Sequence, residues 1–338
     1  MARIALVGLG RIGKLLLRDL HARGTLSQVV LLADAVGDAP LHAHLLEFDS
    51  VHGRWDADLG ADGDAVAIDG RRIEYRRAAS IEALPLAELE VDLVVDCTGA
   101  RRTPETLDPF LEAGAARVVV SAPVKSEGVA NLVYGINHDR FDPEIHRIVT
   151  AASCTTNCLA PVVKVLHEGI GIRHGSITTI HDVTNTQTIV DRPATDPRRA
   201  RSAVNSLVPT TTGSATAIGL IFPELAGRLD GHAVRVPLLN ASLTDCTFEV
   251  RRETTAEEVN ALFEAAANGP LAGILGHETR PLVSADYVND SRSAIVDAPS
   301  TMVVGGTQVK VYAWYDNEWG YACRLGDVVR LAAEAGPG

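Results

Sequence analysis

The sequence predicts an α/β protein of two domains, the first built on a mostly parallel sheet and the second an α+β domain with a largely antiparallel sheet. In the first half of the 338 residues, short apolar runs alternate with stretches of helical spacing, which is typical of βαβ units. In the second half, longer runs such as Leu243–Arg252 partly alternate polar and apolar side chains, as expected for a sheet with one covered face.

The elements follow in order along the chain. In the first half the predicted strands are Arg3–Val7, Val29–Asp34, Val91–Cys97 and Arg117–Ser121, and the predicted helices are Arg11–Arg23, Pro40–Phe48 and Pro104–Ala113. In the second half the predicted strands are Ser176–Ile180, Ala233–Pro237, Leu243–Arg252 and Gln308–Tyr315, and the predicted helices are Gly213–Phe222, Ala256–Ala267 and Trp319–Ala333. A long polar stretch over residues 183–208 shows little periodicity, and we expect a functional loop there.

Composition narrows the class of protein. A hydrophobic content of 46% is ample for a core, and there is neither an 18-residue apolar run nor a signal-peptide pattern, so we expect a soluble protein with no membrane partner. Five cysteines without a framework spacing fit a reducing, cytoplasmic compartment. The net charge of −12 argues against nucleic-acid binding. If the ligands are phosphorylated, their negative charge must therefore be balanced by groups in the binding site and not by the overall charge of the protein.

A glycine turn, GLGRIG at residues 8–13, follows the first strand and opens the first helix. Such a turn alone is as often a packing feature as a ligand site. Here Asp34 ends the next strand, about 20 residues beyond the turn, where the acid that binds the adenosine ribose is expected. Gly8 would permit the tight turn, Gly10 the approach of the pyrophosphate, and Gly13 close helix–strand packing. The N-terminal domain is therefore predicted to be a Rossmann-type dinucleotide domain.

The SCTTN motif at residues 153–157 places Cys154 at the start of a predicted helix. Backbone N–H groups and the positive end of the helix dipole favour the thiolate there, and the thiolate is the nucleophilic form of cysteine. A small buried residue that caps the helix is the alternative, and we prefer it for Cys158, on the next turn. The small polar neighbours of Cys154 favour a nucleophile.

Three segments accompany this motif: the glycine turn, HDVTNTQ at residues 181–187, and WYDNEWGY at residues 314–321. Together they resemble the phosphorylating glyceraldehyde-3-phosphate dehydrogenase family, over nearly the whole chain. The resemblance implies an NAD-binding domain over residues 1–152 and a catalytic domain over residues 153–318. It also implies that the C-terminal helix, residues 319–334, packs back on the first domain.

The cofactor implied by the resemblance is NAD. It would be bound by the glycine turn, the ribose acid, the ends of two further strands and an asparagine that orients the nicotinamide. The implied cofactor-binding residues are Gly8, Gly10, Arg11, Ile12, Gly13, Asp34, Thr98, Gly99, Ser121 and Asn317.

The resemblance assigns catalysis to Cys154 and His181. By the family mechanism, Cys154 attacks the aldehyde carbon of a phosphorylated aldehyde to form a hemithioacetal. His181 favours the thiolate and then accepts the hydroxyl proton as the hydride leaves. An inorganic oxyanion cleaves the remaining thioester. The matching anion-binding residues are Thr184, Thr186 and Arg235 for the substrate phosphate, and Ser153, Thr155, Thr212, Gly213 and nearby Arg199 for the attacking anion.

The chain departs from the family pattern at several positions. Asp182 replaces a small neutral residue and Thr195 a common lysine, and Arg192 stands where NAD-specific forms usually carry leucine. An arginine near the ribose could receive the 2′-phosphate of NADP, but Asp34 would repel it, so NAD is favoured and NADP stays open. The segments HDVTNTQT and PTTTGSATA resemble forms linked to arsenate resistance, so the attacking anion is predicted to be phosphate or arsenate.

Two alternatives stay open. Erythrose-4-phosphate dehydrogenase shares the cysteine, the histidine and the fold. A non-catalytic NAD-binding or redox-sensing protein would be expected to lack Cys154, His181 or Arg235, and all three are present. The resemblance also implies a homotetramer, in which the long loop reaches the neighbouring subunit. No metal site is predicted.

Overall fold

The computed structural model describes residues 1–336 and divides the chain into two compact units. The first unit comprises Met1–Ser153 together with the C-terminal segment from Ala322 onward. The second unit comprises Cys154–Tyr321. Each unit has its own sheet, one mostly parallel and one largely antiparallel, which confirms the predicted fold class.

The first unit is built on a nine-stranded sheet in the order β3-β4-β5-β2-β1-β6-β7-β9-β8. Its elements are β1 (Ile4–Val7), α1 (Arg11–Ala22), β2 (Val29–Asp34), α2 (Ala39–Glu47), β3 (Leu59–Ala61), β4 (Ala65–Ile68), β5 (Arg71–Arg77), β6 (Leu93–Asp96), α3 (Pro104–Glu112), β7 (Arg117–Val120), β8 (Val129–Asn131) and β9 (Ile148–Thr150). Strand β1 lies parallel to both β2 and β6. The strand order therefore reverses at β1, and dinucleotides bind at the carboxyl end of the strands at such a point.

Burial explains why the central strands form. All four residues of β1 and of β6 are buried, which is typical of parallel strands covered on both faces. Leu107 and Phe110 on α3 lie in the same core cluster as Val94 and Val118. Each fully buried side chain of this size stabilises the fold by roughly 1.5–3 kcal/mol.

The second unit is built on a sheet in the order β11-β12-β10-β13-β17-β15-β14, with β16 paired to β17. Its elements are α4 (Cys154–Ile170), β10 (Ile172–His181), β11 (Val208–Thr211), α5 (Ser214–Ile221), β12 (Leu229–Arg235), β13 (Ser242–Val250), α6 (Ala256–Ala267), β14 (Leu275–Glu278), β15 (Ala294–Asp297), β16 (Met302–Val304), β17 (Gln308–Tyr315) and the start of α7 (Trp319–Glu334). Alternate residues of β17 are buried. The Cys158 sulfur lies 3.8 Å from the Ala313 carbonyl oxygen, so α4 packs on this face.

Several element boundaries differ from the prediction. The strand predicted at Ala233–Pro237 runs over Leu229–Arg235 instead. Its partner β10 ends at His181, and the Val236 N–H donates to the His181 carbonyl oxygen at 2.9 Å. Pro237 has no N–H with which to continue. Strands β3 to β5 were not predicted, because β3 and β4 have only 3 and 4 residues and the 7 residues of β5 include only two apolar side chains, Ile73 and Tyr75.

The predicted long loop, residues 183–208, contains no helix and only the first residue of β11. Its fold comes from local hydrogen bonds: Arg201 pairs with Asp191 at 2.7 Å, and the Arg192 N–H donates to the Ala200 carbonyl at 2.9 Å. Polar residues that bond to nearby backbone favour such irregular structure over helix or strand.

Candidate active site

The glycine turn of the first unit has the geometry that a pyrophosphate requires. Gly8 has a φ of +94°, and a Cβ there would lie 2.6 Å from the Thr98 nitrogen. A Cβ on Gly13 would lie 2.0 Å from the Gly8 carbonyl oxygen, so α1 packs against the turn as only glycine allows. Around Gly10, in contrast, no atom lies within 4 Å of an added Cβ. The space over Gly10 suits a ligand, and no side chain caps α1 there.

Asp34 lies at the end of β2 and is anchored beside this turn. Its carboxylate accepts hydrogen bonds from the Leu9 N–H at 2.7 Å and the Val36 N–H at 3.0 Å. The Arg11 side chain turns away to Asp49, with Nη2 3.0 Å from Oδ1, which leaves only its backbone for the predicted phosphate role. Ile12 is the second residue of α1.

The other predicted cofactor residues of the first unit follow the next two strands. Thr98 comes after β6, where its N–H donates to an Asp96 carboxylate oxygen at 2.8 Å. Gly99 has a φ of +67°, so the chain turns sharply after the strand. Ser121 follows β7, and its N–H donates to the Asp96 carbonyl at 2.9 Å. Neighbouring parallel strands thus bring these residues to the sheet edge where β1 ends.

In the second unit, four strand ends meet at one edge of the sheet. His181 is the last residue of β10 and is paired with Arg235, the last residue of β12, in parallel register. Ser242, the first residue of β13, is paired with Tyr315, the last of β17. Because β10 and β13 are antiparallel neighbours, all four side chains are brought to the same region.

Cys154 is the first residue of α4, and its sulfur lies 3.7 Å from His181 Nε2. The buried hydroxyl of Tyr315 fixes this approach, since it bonds to Thr155 Oγ1 on α4 at 2.9 Å and to Thr179 Oγ1 on β10 at 2.8 Å. The structure therefore brings together the predicted nucleophile and the predicted base, within reach of proton exchange. Their catalytic roles stay predictions.

His181 is 4% exposed and is surrounded by charged groups. Its Nδ1 lies 2.7 Å from Asp182 Oδ1 and 2.5 Å from Arg235 Nη1. Burial alone would lower the pKa of His181, but hydrogen bonds with Asp182 and Cys154 raise it to about 9, against the nearby Arg235 charge. In the free protein His181 is therefore an imidazolium at neutral pH, with its Nε2 facing the Cys154 sulfur.

Asp182 forms contacts that sequence reasoning missed. Its side chain is 0% exposed, and its second oxygen accepts a hydrogen bond from Asn317 Nδ2 at 2.8 Å. The sequence carried one signal, an acid directly after His181 where the family usually has a small neutral residue. The contact with Asn317, far away along the chain, required the fold.

The residues predicted for the substrate phosphate are only partly brought together. Thr184 and Thr186 share a hydroxyl–hydroxyl contact of 3.0 Å, and both bond to Gln187. Arg235 instead donates to the Asp182 carbonyl oxygen at 3.0 Å, while its buried Nε has no hydrogen-bond partner within residues 1–336. This guanidinium thus keeps one buried donor without an acceptor in the described part of the chain, while its Nη1 lies at His181 and Asp182.

The predicted attacking-anion residues are also spread out. Arg199 donates through Nη2 to Thr210 Oγ1 on β11 at 2.8 Å. Burial is the main cause that lowers the pKa of Arg235, and the nearby charge of Arg199 lowers it further. Thr212 and Gly213 precede α5, whose first turn has no side-chain cap at Gly213. The Thr155 hydroxyl points to Tyr315, so only its backbone N–H is left for an anion. Ser153 ends the N-terminal segment of the first unit.

Two further properties bear on the kind of site. Within residues 1–336, no three histidine, cysteine or acidic side chains are grouped as ligands for a metal ion. Over the same residues, every helix is too short or too polar to cross a membrane.

Comparisons with known proteins agree with the geometry of both units. The profile of the glyceraldehyde 3-phosphate dehydrogenase NAD binding domain matches residues 2–104. That of the glyceraldehyde 3-phosphate dehydrogenase C-terminal domain matches residues 153–317, which include both Cys154 and His181.

Similar proteins of full length carry the same name. The chain is 57% identical over 332 residues to glyceraldehyde-3-phosphate dehydrogenase 3 of Nostoc sp., with 98% of each chain covered. It is 46% identical over 334 residues to glyceraldehyde-3-phosphate dehydrogenase of Geobacillus stearothermophilus, with 99% of each covered. The protein of that name from Pseudomonas aeruginosa is 47% identical over 336 residues, with 98% of each covered.

Proposed function

Because the chain belongs to the glyceraldehyde-3-phosphate dehydrogenase family and is an NAD-dependent oxidoreductase of that type, we propose that it oxidises glyceraldehyde 3-phosphate through a thioester on Cys154. Phosphate or arsenate then cleaves this thioester. The observation that carries the proposal is the pair formed by Cys154, at the first residue of α4, and His181, with sulfur and Nε2 3.7 Å apart.

The chemistry follows from this pair. The Cys154 thiolate attacks the aldehyde carbon, the carbonyl oxygen takes the proton of His181 Nε2, and a hemithioacetal results. The backbone N–H of Cys154, at the start of α4, helps to hold the developing oxyanion. His181 Nε2 then removes the hydroxyl proton as the carbon–oxygen double bond of the thioester forms. Bound NAD supplies the acceptor for the hydride that leaves the carbon.

The final step releases the enzyme. An oxygen of the inorganic anion attacks the thioester carbon, the carbon–sulfur bond breaks, and Cys154 leaves as a thiolate. With phosphate the product is 1,3-bisphosphoglycerate. With arsenate it is 1-arseno-3-phosphoglycerate, which hydrolyses readily in water. The residues proposed for this anion are Ser153, Thr155, Thr212, Gly213 and nearby Arg199. Hydroxyl and backbone amide groups around such an anion distinguish poorly between two oxyanions of the same charge.

The test compares substrates directly. We expect NAD reduction with glyceraldehyde 3-phosphate to exceed that with erythrose 4-phosphate, and we expect arsenate to support turnover at least as well as phosphate at matched low concentrations. Initial rates for both aldehydes, both anions and both NAD and NADP check this. Faster turnover of erythrose 4-phosphate would favour the alternative dehydrogenase. A clearly lower catalytic efficiency with arsenate would restrict the protein to phosphate.

Replacing Arg235 by alanine tests the proposed phosphate site. A guanidinium that bonds a phosphate contributes to binding only when the substrate carries that phosphate. We therefore expect Arg235→Ala to lower kcat/KM for glyceraldehyde 3-phosphate about 10- to 100-fold more than for unphosphorylated glyceraldehyde. Because Arg235 also contacts His181, the ratio of the two substrates is the measurement, and any effect on the base cancels in it.

The matched control for Arg235 is Arg228→Ala, which removes an exposed arginine just before the same strand. It should change neither substrate's kcat/KM. Equal losses for both substrates in Arg235→Ala would place the phosphate elsewhere.

We also propose a homotetramer in a reducing, cytoplasmic compartment. The long loop exposes large apolar side chains, among them Ile189 at 76% and Leu207 at 68%, and contacts between subunits would bury them. All five cysteines are free thiols, which suits a reducing compartment. Light scattering coupled to size-exclusion chromatography checks the assembly: a monomeric mass at micromolar concentration would contradict it.

A further inference from the structure

Asp182 is a buried carboxylate with two well-defined partners in the second unit. Oδ1 lies 2.7 Å from His181 Nδ1, and Oδ2 accepts a hydrogen bond from Asn317 Nδ2 at 2.8 Å. Asp182 is 0% exposed, and Asn317 is 5% exposed. A buried carboxylate is stable only when its oxygens are paired. Here one oxygen serves the proposed base and the other an amide of the proposed cofactor site.

Four groups face His181, and they decide where its proton lies. Cys154 lies at Nε2, Tyr315 packs edge-on at 6.1 Å between ring centroids, and Asp182 and Arg235 both lie at Nδ1. Arg235 can only donate, and so requires a lone pair on Nδ1. Asp182 can only accept, and so requires a proton there. The two demands exclude each other, and which of them prevails decides the tautomer that His181 takes when its ring is neutral.

The buried carboxylate prevails on two grounds. Arg235 has another acceptor for Nη1, the Asp182 carbonyl oxygen at 3.0 Å. The carboxylate Oδ1, in contrast, would lose its ionic partner. We propose that Asp182 is a positioning residue that keeps a proton on His181 Nδ1, directs Nε2 to Cys154, and orients the amide of Asn317. This inference rests on the proposed roles of Cys154 and His181.

The consequence for His181 follows from its two ring nitrogens. With the proton kept on Nδ1, Nε2 is the atom that gains and loses a proton, and it is also the atom that faces Cys154. If Arg235 took Nδ1 as its acceptor, a neutral His181 would carry its proton on Nε2 and could not act there as a base. A histidine held in the wrong tautomer loses most of its catalytic effect.

The consequence for Asn317 concerns its orientation. Its Nδ2 is held by Asp182, and its Oδ1 accepts from Ser242 Oγ at 3.0 Å. The Ser242 oxygen in turn accepts the Asp182 N–H at 3.2 Å. The donor and acceptor ends of the amide are thus fixed by one acid and one hydroxyl. The same carboxylate couples the orientation of the base to that of the amide.

The test is Asp182→Asn, with Asp182→Ser as a second variant that has the small neutral character common at this position in the family. Asparagine has one acceptor oxygen where the carboxylate has two, so it cannot satisfy both His181 and Asn317. Both substitutions remove the negative charge. In both variants we expect alkylation of Cys154 by iodoacetamide in the free enzyme at pH 7 to slow about 10- to 100-fold. The pH at which His181 titrates should move down from about 9.

Asp297→Asn is the control. Asp297 is another buried carboxylate of this unit and accepts from a ring N–H, that of Trp314, at 2.9 Å. The Asp297→Asn variant should have a lower melting temperature and an unchanged pH profile of Cys154 alkylation. The same outcome in the Asp182 variants would make Asp182 merely structural and overturn the proposal; if Asp182→Asn does not fold, Asp182→Ser decides. Alkylation of wild-type Cys154 that left activity intact would instead contradict the proposed function.

Discussion

Replacing Cys154 by serine should reduce dehydrogenase activity by a factor on the order of 10⁴ or more, because no thioester can form. A serine hydroxyl stays protonated at neutral pH and is not activated by an imidazolium at 3.7 Å as a thiol is. NAD binding should persist, since the glycine turn and Asp34 belong to a different unit. Steady-state rates and titration of NAD by protein fluorescence measure the two effects.

Cys158→Ala is the matched control for this change. Cys158 lies on the next turn of α4 and is 0% exposed. Its sulfur lies 3.5 Å from Thr244 Oγ1 and not at the reacting centre. Burial raises its pKa to about 12, so it stays a thiol. The variant should lose some stability and keep its turnover. Substantial turnover by Cys154→Ser would rule out the covalent mechanism.

The fold could be predicted where local pattern and burial agree. The ends of Val29–Asp34, Ala256–Ala267 and Gln308–Tyr315 match the structure, because each is bounded by a clear change of periodicity. Thr255 also caps its helix by accepting the Glu258 N–H at 3.2 Å. Short strands with mixed polarity, such as Leu59–Ala61, carry too few residues for a pattern.

The site could be predicted only in part. His181 and Arg235 are 54 residues apart in the sequence, and two parallel strands bring them together. Only a family resemblance could predict this pairing. Asp182 follows the last residue of β10, so the strict alternation of strand side chains no longer applies, and its carboxylate can turn back to its neighbour. For Thr155, in contrast, the sequence predicted an anion contact, but in the structure its hydroxyl bonds to Tyr315.

Replacing His181 by asparagine should lower kcat/KM by about 10²–10⁴, the usual contribution of a general base. It should also slow alkylation of Cys154 at neutral pH, because the imidazolium that stabilises the thiolate is lost. The two measurements test different steps. Alkylation depends only on Cys154 and His181 in the free enzyme, whereas turnover also depends on removal of the substrate hydroxyl proton. His174→Asn, an exposed position on the same strand, should change neither.

The pH dependence gives this prediction its sign. His181 has a pKa of about 9 in the resting protein, so the imidazolium is present below that pH and lost above it. The alkylation rates of the wild type and His181→Asn should therefore differ most near neutral pH and converge above about pH 9. Cys154 contributes to the upward shift of the His181 pKa, and this contribution disappears once the sulfur is bound to substrate. The pKa of His181 then falls, so Nε2 becomes a proton acceptor when the substrate hydroxyl must be deprotonated. Unchanged alkylation in His181→Asn would mean that the start of α4 alone activates the thiol.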